Sequence, residues 1–513
     1  MDSVHQAVRP AADIELVLEG TYPFVRGGVS NWVEQLIRNM PDIRFSILFI
    51  GSTSSHYKGK LYDTPSNVVR MQEHYLAAEP PAVRRRAWLD RPTVEALGRL
   101  HASLREGRPD LSRADLGKVL SACTSNPEAM QNTFLHARWV WDAIVQRYRN
   151  ATPQSAFIDY FWTVRSMHAP LFGLARTLRD LPPARAYHTV STGFAGLAGL
   201  ALQARSGRPL ILSEHGIYTK ERIIELLQAE WLVNRRDPGS NAEPMRDLWI
   251  QFFEGIGRLV YAGADPILTL FEGNRERQVR DGAPRERTHV IPNGVEVGDY
   301  LAARQARPSK PPPVIALIGR VVPVKDVKTF IRTMRTVCSV LPEAEGWVVG
   351  PTEEDPGYAQ ECKGLVRSLG LDSQVRFLGF RNVREILPKV GLIMLSSISE
   401  AQPLVLLEGF AAGVPAVTTD VGCCRELLEG TGEEDRALGA AGAVAGISAP
   451  EELAREALGL LGDEGAWRAA QTAGIRRVER YYTIQRMIRA YESIYEQAMR
   501  TPWQASVSSF ASI

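Results

Sequence analysis

Short apolar segments of four to seven residues alternate with amphipathic stretches along most of this chain, and that alternation leaves few folds open. Strands buried on both faces read as unbroken apolar runs, and helices between them imply a parallel sheet covered on either side. The first series opens with "DIELVLEG", a glycine turn, and "GVSNWVEQLIRNM". In that piece Val29, Trp32, Val33, Leu36, Ile37 and Met40 recur at three- and four-residue spacing, one face of a helix. The strand "RFSILFI" completes a β-α-β unit. Residues 55–150 interrupt the rhythm: they are charged and poor in strand signals, and they read as a helical insertion with helices at "TVEALGRLHASL" and "TFLHARWVWDAIVQRYR". "RAYHTV", the small-residue helix "GFAGLAGLALQARSG", "RPLILSEHG", "DPILTL" and "THVIPNG" resume it.

A second series follows "LAARQARPSKPPP", whose four prolines mark a linker at 301–313. It runs "VIALIG", a helix from Val327, "GWVVG", a helix around Tyr358–Leu369, "QVRFLGF", "GLIMLSS", a helix from Pro403, and "VPAVTT". The expectation is two doubly wound, Rossmann-like α/β domains, at 1–300 and 314–480. The end of the chain, 481–513, supplies a helix crossing back to the first domain. Such a pair would face a cleft at the carboxyl ends of its strands.

Length and composition set the remaining bounds. At 513 residues the chain exceeds one hydrophobic core. A net charge of +2 gives no reason to expect nucleic acid. Five cysteines, an odd number without C-x-x-C spacing, argue for a reducing compartment and against structural zinc. The start "MDSVHQAVRP" lacks the pattern of a signal peptide, and no apolar window is long enough for a membrane span, so a cytoplasmic protein is expected.

The chemistry-bearing residues should follow the strands. After "VIALI" come Gly319 and Arg320, then Lys325 just ahead of a helix: an anion site suited to a diphosphate, although a surface pair on a loop explains it equally well. In "SEAQPLVLLEGFAAGVPAVTT", Pro403 fits the first helical position. Glu400 then lies in the loop beyond a strand, and Glu408 in the second helical turn. The first-turn N–H groups of Leu404 and Val405 would favour phosphate. Glu408 could accept from vicinal hydroxyls such as those of a ribose; a solvated helix residue is the plainer account. Its neighbours Leu406, Leu407 and Phe410 make an unpaired charge costly there, which favours a functional pair.

Arg320, Lys325, Glu400 and Glu408 in an E-x7-E arrangement, with "AAGVPAVTTDVG", resemble the retaining family-4 glycosyltransferases of GT-B fold. "EGTYPFVRGGVSNWVEQLI" and "SEHGIYTKER" are similar to the PelF-like members, which act in Pel exopolysaccharide assembly. The resemblance implies that Arg320 and Lys325 hold the donor diphosphate, Glu408 the ribose, and Glu400 the donor sugar hydroxyls. It implies a sugar-binding role for His215 at the end of "RPLILSEH", and that the turn carrying Phe380 and Arg381 borders the base. Gly27 and Gly28 would allow close backbone approach by donor or acceptor, though a plain tight turn explains them as well. The implied reaction is metal-free hexosyl transfer from a UDP-sugar, UDP-glucose first, to a polysaccharide acceptor, without a cofactor. The implied partner is an inner-membrane Pel synthase complex. The alternatives are a sugar-nucleotide epimerase of the same fold and a non-catalytic UDP-sugar sensor of a membrane synthase. Trp139, Trp141 and the arginine-rich helices of the insertion either dock a partner or pack as core.

Overall fold

The computed structural model describes residues 10–78, 87–105, 113–151, 155–228 and 243–501. The chain divides into two units, one formed by Met1–Val290 with Tyr491–Ile513 and the other by Ile291–Ala490.

The first unit holds a seven-stranded sheet: β1 (Ala12–Glu19), β2 (Phe45–Gly51), β3 (Val68–Tyr75), β4 (Ala184–Thr189), β5 (Leu210–Glu214), β6 (Ile267–Thr269) and β7 (Thr288–Val290). All pairs are parallel, in the order β3-β2-β1-β4-β5-β6-β7. In β1 Ile14, Leu16, Val17 and Leu18 are fully buried, and β2 is buried along its whole length, as helices on both faces require. Helix Gly28–Asn39 buries Trp32, Val33, Leu36 and Ile37, the face its periodicity marks out.

The second unit repeats the winding with six strands: β8 (Val314–Ile318), β9 (Glu345–Val349), β10 (Val375–Gly379), β11 (Leu392–Leu395), β12 (Ala416–Thr419) and β13 (Gly442–Ala445). The order is β10-β9-β8-β11-β12-β13, again all parallel. Strand order therefore reverses between β1 and β4 in one sheet and between β8 and β11 in the other. Two doubly wound α/β sheets, with extra helices in the N-terminal half, are what the alternation predicts.

Three features differ from the sequence reading. Residues 55–150 are not wholly helical: β3 lies among them as an edge strand. Its sequence, "VVRMQEHY", is only partly buried, so it lacks an apolar run; its Arg70 pairs with the buried Glu15 of β1 at 2.5 Å. "TFLHARWVWDAIVQRYR" is two helices, Pro127–His136 and Arg138–Ala151, parted at Ala137, and a 24-residue helix, Phe157–Asp180, follows. Residues Leu301–Gln305 form a helix of the second unit, not free linker. There Arg304 donates to the Ala411 carbonyl at 2.9 Å and pairs with Glu479 at 2.7 Å.

Candidate functional site

In a doubly wound sheet the loops on either side of the order reversal part and leave room for a ligand at the carboxyl ends of the strands. In the second unit those loops follow β8 and β11. They carry Arg320 and Lys325 on one side and Glu400 on the other.

The loop after β8 is built for close backbone approach. Gly319 has φ +158°, and its N–H donates to the Val349 carbonyl at 2.9 Å. A Cβ on the neighbouring Gly350 would lie 1.9 Å from the Gly319 carbonyl oxygen, so only glycine fits there. Lys325 is then fixed from both ends. Asp326 adopts φ +42°, tolerable for an aspartate whose side chain bonds locally. Its carboxylate caps helix Val327–Val340 through the Thr329 N–H at 3.2 Å and hydroxyl at 2.7 Å. The Ser396 hydroxyl, just past β11, bridges the Lys325 and Asp326 carbonyls at 3.0 and 2.9 Å.

The structure brings Lys325 and Glu400 together. Lys325 Nζ lies 2.5 Å from Glu400 Oε1, which also accepts from the Ser397 hydroxyl at 2.6 Å. Both side chains are largely buried, at 20% and 10% exposure. The Glu400 loop is backed by Gly422, whose φ is +56° and whose Cβ would collide with the Glu400 and Ala401 carbonyls at 2.4 Å. Arg320 is more exposed and binds both oxygens of Glu354, at 2.6 and 2.7 Å. Each cation of the expected diphosphate site thus holds a carboxylate, a pairing that no spacing in the sequence suggests.

Helix Leu404–Ala411 begins one residue later than expected, with Pro403 as its cap and no side chain closing its first turn. Leu404 and Val405 occupy that turn, and Glu408 lies one turn on. Burial raises the Glu408 carboxyl above the usual carboxylate range, offset in part by hydrogen bonding from the Tyr300 hydroxyl and by the charge of Arg384. Arg384 sits 5.7 Å above the Tyr300 ring and pairs with Asp299. Tyr300 and Arg384 escaped the sequence reading: one abuts the supposed linker, and the other follows the "GFRN" turn by two residues. On that turn Phe380 and Arg381 are exposed.

His215 follows β5 in the first unit and is buried against the Trp32 ring, with centroids 4.6 Å apart. Burial lowers its pKa to about 4, so the ring is neutral near pH 7, and its buried Nε2 has no partner. Gly27 and Gly28 begin helix Gly28–Asn39, and a Cβ at either position would meet nothing within 4 Å. At the end of β1, Glu19 accepts from the Ala195 N–H at 3.0 Å and the Tyr218 hydroxyl at 2.9 Å. This carboxylate at a helix start also escaped the sequence reading. Among the described residues, no three His, Cys, Asp or Glu side chains are grouped to hold a metal ion.

A family model described as a domain of unknown function (DUF3492) matches residues 12–286, and one described as glycosyl transferases group 1 matches residues 312–463. The chain belongs to the DUF3492 family, the PelF-like GT-B glycosyltransferases.

Similar proteins align with this chain in part. The lipopolysaccharide core biosynthesis mannosyltransferase LpsB of Rhizobium meliloti is 27% identical over 36% of this chain and 52% of its own length. An exopolysaccharide phosphotransferase of Streptomyces coelicolor is 33% identical over 31% of this chain but only 16% of its own. The chain therefore spans about half of the first relative and less of the second. Among solved structures, HepE of Anabaena in complex with UDP-glucose superposes with a TM-score of 0.57 at 14% identity, over 94% of this chain and 99% of its own. Sucrose-phosphate synthase of Thermosynechococcus elongatus gives 0.57 at 14% identity, over 96% and 100%. At these identities the superpositions establish the shared fold.

Proposed function

We propose that this PelF-like chain is a retaining hexosyltransferase that takes a hexose from a UDP-sugar, UDP-glucose first, and adds it to a growing exopolysaccharide. The observation that carries the reading is the Lys325–Glu400 pair at the strand-order reversal of the second unit, beside a helix start that no side chain closes. HepE, bound to UDP-glucose, and LpsB, named a mannosyltransferase, support the donor class and the reaction class.

In this reading the donor diphosphate takes Lys325 from Glu400 and Arg320 from Glu354. The exchange costs little in Coulomb energy, because a carboxylate is replaced by a phosphate of greater charge. Glu400, released, accepts from the sugar hydroxyls, while Glu408 accepts from the ribose hydroxyls. The amides of Leu404 and Val405 contribute the positive end of a helix. As the bond from the anomeric carbon to the diphosphate oxygen breaks, negative charge grows on the leaving group, where Arg320 and Lys325 stabilise it. The acceptor hydroxyl bonds to the anomeric carbon on the same face and passes its proton to a phosphate oxygen. Glu400 is not assigned as a nucleophile, since no second carboxylate is identified as the acid partner that double displacement requires. Neutral His215 orients a sugar hydroxyl, and Phe380 and Arg381 border the base. Gly27 and Gly28 leave space for a substrate.

We propose that the protein works in the cytoplasm, held at the inner membrane by a Pel synthase complex. Separately, no described helix is long and apolar enough to cross a membrane.

The test is to incubate the full chain with a panel of radiolabelled UDP-hexoses, with and without an oligosaccharide acceptor. UDP release that requires acceptor, with label entering product, is expected. Interconversion of UDP-sugars without UDP release would identify an epimerase, and tight UDP-hexose binding without turnover a sensor.

A further inference from the structure

The helices of the N-terminal half carry a surface that the proposed transfer reaction does not use. Among the described residues, three of the four exposed tryptophans lie on helices Arg138–Ala151 and Phe157–Asp180: Trp139, Trp141 and Trp162. Ile158, one turn before Trp162, is 57% exposed. Trp141 and Trp162, though not Trp139, belong to one connected set of rings. Trp141 packs 5.6 Å from Phe157 and 5.7 Å from Phe161, and Phe161 meets Trp162 edge-on at 5.5 Å. The Arg165 guanidinium covers the Trp162 ring at 5.6 Å. Beside this set opens a cavity of about 410 Å³, lined by His136, Arg138, Trp141, Ile144, Phe161 and Arg165 among others, with no carboxylate in its wall. Arg138, its side chain 94% exposed, pairs loosely with Asp142 at 4.0 Å. Between residues 138 and 165 four arginines stand against two aspartates.

Large apolar side chains that stay in water next to guanidinium groups outnumbering the local carboxylates suit a covering surface that is itself both apolar and anionic. We propose that this face docks on the surface of an anionic phospholipid bilayer. Indole rings settle at the boundary between headgroups and acyl chains, because they join a broad apolar body to one N–H donor. Ile158 and Trp162 would enter that boundary, while Arg138 and Arg165, with Arg147 and Arg149 behind them, meet lipid phosphates. The excess of arginine favours this occupant over a second copy of the chain, since a two-fold contact through the face would set its arginines against one another. The attachment is peripheral and depends on both apolar burial and charge.

Vesicle flotation of the full chain tests the proposal. The protein should float with equimolar phosphatidylcholine and phosphatidylglycerol, stay down with phosphatidylcholine alone, and leave the anionic vesicles in high salt. Ile158→Ser with Trp162→Ser should weaken partitioning by roughly tenfold or more, as loss of two apolar side chains from the boundary implies. Arg138→Glu with Arg149→Glu should abolish the preference for anionic lipid. All four positions are exposed, so far-ultraviolet circular dichroism and UDP binding should match the parent, which excludes misfolding as the cause. Absence of flotation would overturn the proposal, as would equal flotation of the variants or a patch-dependent dimer in sedimentation without vesicle binding.

Discussion

At the scale of single residues, the proposed function makes the candidate site a set of exchanges between carboxylates and phosphate. In the proposed reaction, removing the Lys325 ammonium takes away charge stabilisation that grows as the diphosphate leaves. Lys325→Ala should therefore lower kcat by about 10²–10³, the range found for loss of one oxyanion donor. KM should change far less, and steady-state kinetics with UDP-glucose would show it; a rise in KM at unchanged kcat would mean that Lys325 binds substrate and transition state alike. Because the same change strands Glu400, the double variant with Glu400→Gln should cost less than the two single losses combined. Glu408→Ala should weaken UDP binding by about 10–100-fold, the worth of hydrogen bonds to a charged group. The loss should vanish when UDP is replaced by its 2′,3′-dideoxy analogue. Calorimetric titration checks this, and an equal loss with both nucleotides would remove the ribose role. The positions of Lys325 and Glu400 were legible because each follows an apolar strand run, and that of Glu408 because apolar neighbours flank it on a helix. Their partners were not: Glu354, Tyr300 and Arg384 lie 34, 108 and 24 residues from the residues they serve, and no periodicity links them.

At the scale of elements, two buried polar assemblies fasten the last helices. Arg477, on helix Glu464–Tyr481, is fully buried: it pairs with Asp435 at 2.7 Å and donates to the Leu428 and Gly439 carbonyls at 2.7 and 2.8 Å. Arg477→Leu strands a buried carboxylate and several carbonyls, a loss of about 3–5 kcal/mol. A lower urea midpoint for the second unit would report it. The final helix, Ile484–Arg500, brings Tyr491 and Tyr495 to the first unit. There His188 bonds Tyr495 Oη at 2.7 Å and Ser213 Oγ at 2.8 Å. Burial lowers His188 to about 3 and His215 to about 4. The unfolded chain takes up protons near pH 6.5 that the fold refuses, so this stability is complete above pH 6.5 and lost as pH falls toward about 4. The loss is at most about 1.4 kcal/mol per pH unit for each ring. Glu15 and Glu221, raised to about 7 by burial, act in the opposite sense, so the informative quantity is the difference between parent and variant. His188→Gln should flatten the fall in melting temperature between pH 6.5 and 4; an unchanged slope would exclude His188 as its source. The polar partners of Arg477 and His188 were not legible, since "RAYHTV" and "YESIYEQ" each look like ordinary core.

At the scale of the whole molecule, the two sheets share one winding, and the proposed cationic machinery comes from the chain itself. Arginine, lysine and helix amides carry the positive charge that a divalent ion supplies in other phosphate chemistry. Hexosyl transfer should accordingly persist in EDTA and show no stimulation by Mg²⁺. A coupled assay for UDP decides it, and activity lost to EDTA and restored by Mg²⁺ would contradict the scheme. The alternation exposed eleven of the thirteen strands among the described residues, because interior strands must be apolar on both faces. It missed β3 and β13, which lie at sheet edges; β13, "GAVA", has no large side chain.

The sequence by itself determined the α/β class, the positions of the interior strands, and hence which residues stand at strand ends. Those are local properties, written in the period of apolar side chains over a few residues. Tertiary structure alone decided the strand order, the carboxylate held by each cation, the burial that shifts Glu408 and His215, and the joining of Trp141 to Trp162 through Phe161. Each of these depends on contacts between residues far apart in the chain, where side-chain shape and desolvation select the partner and local pattern carries no record of it.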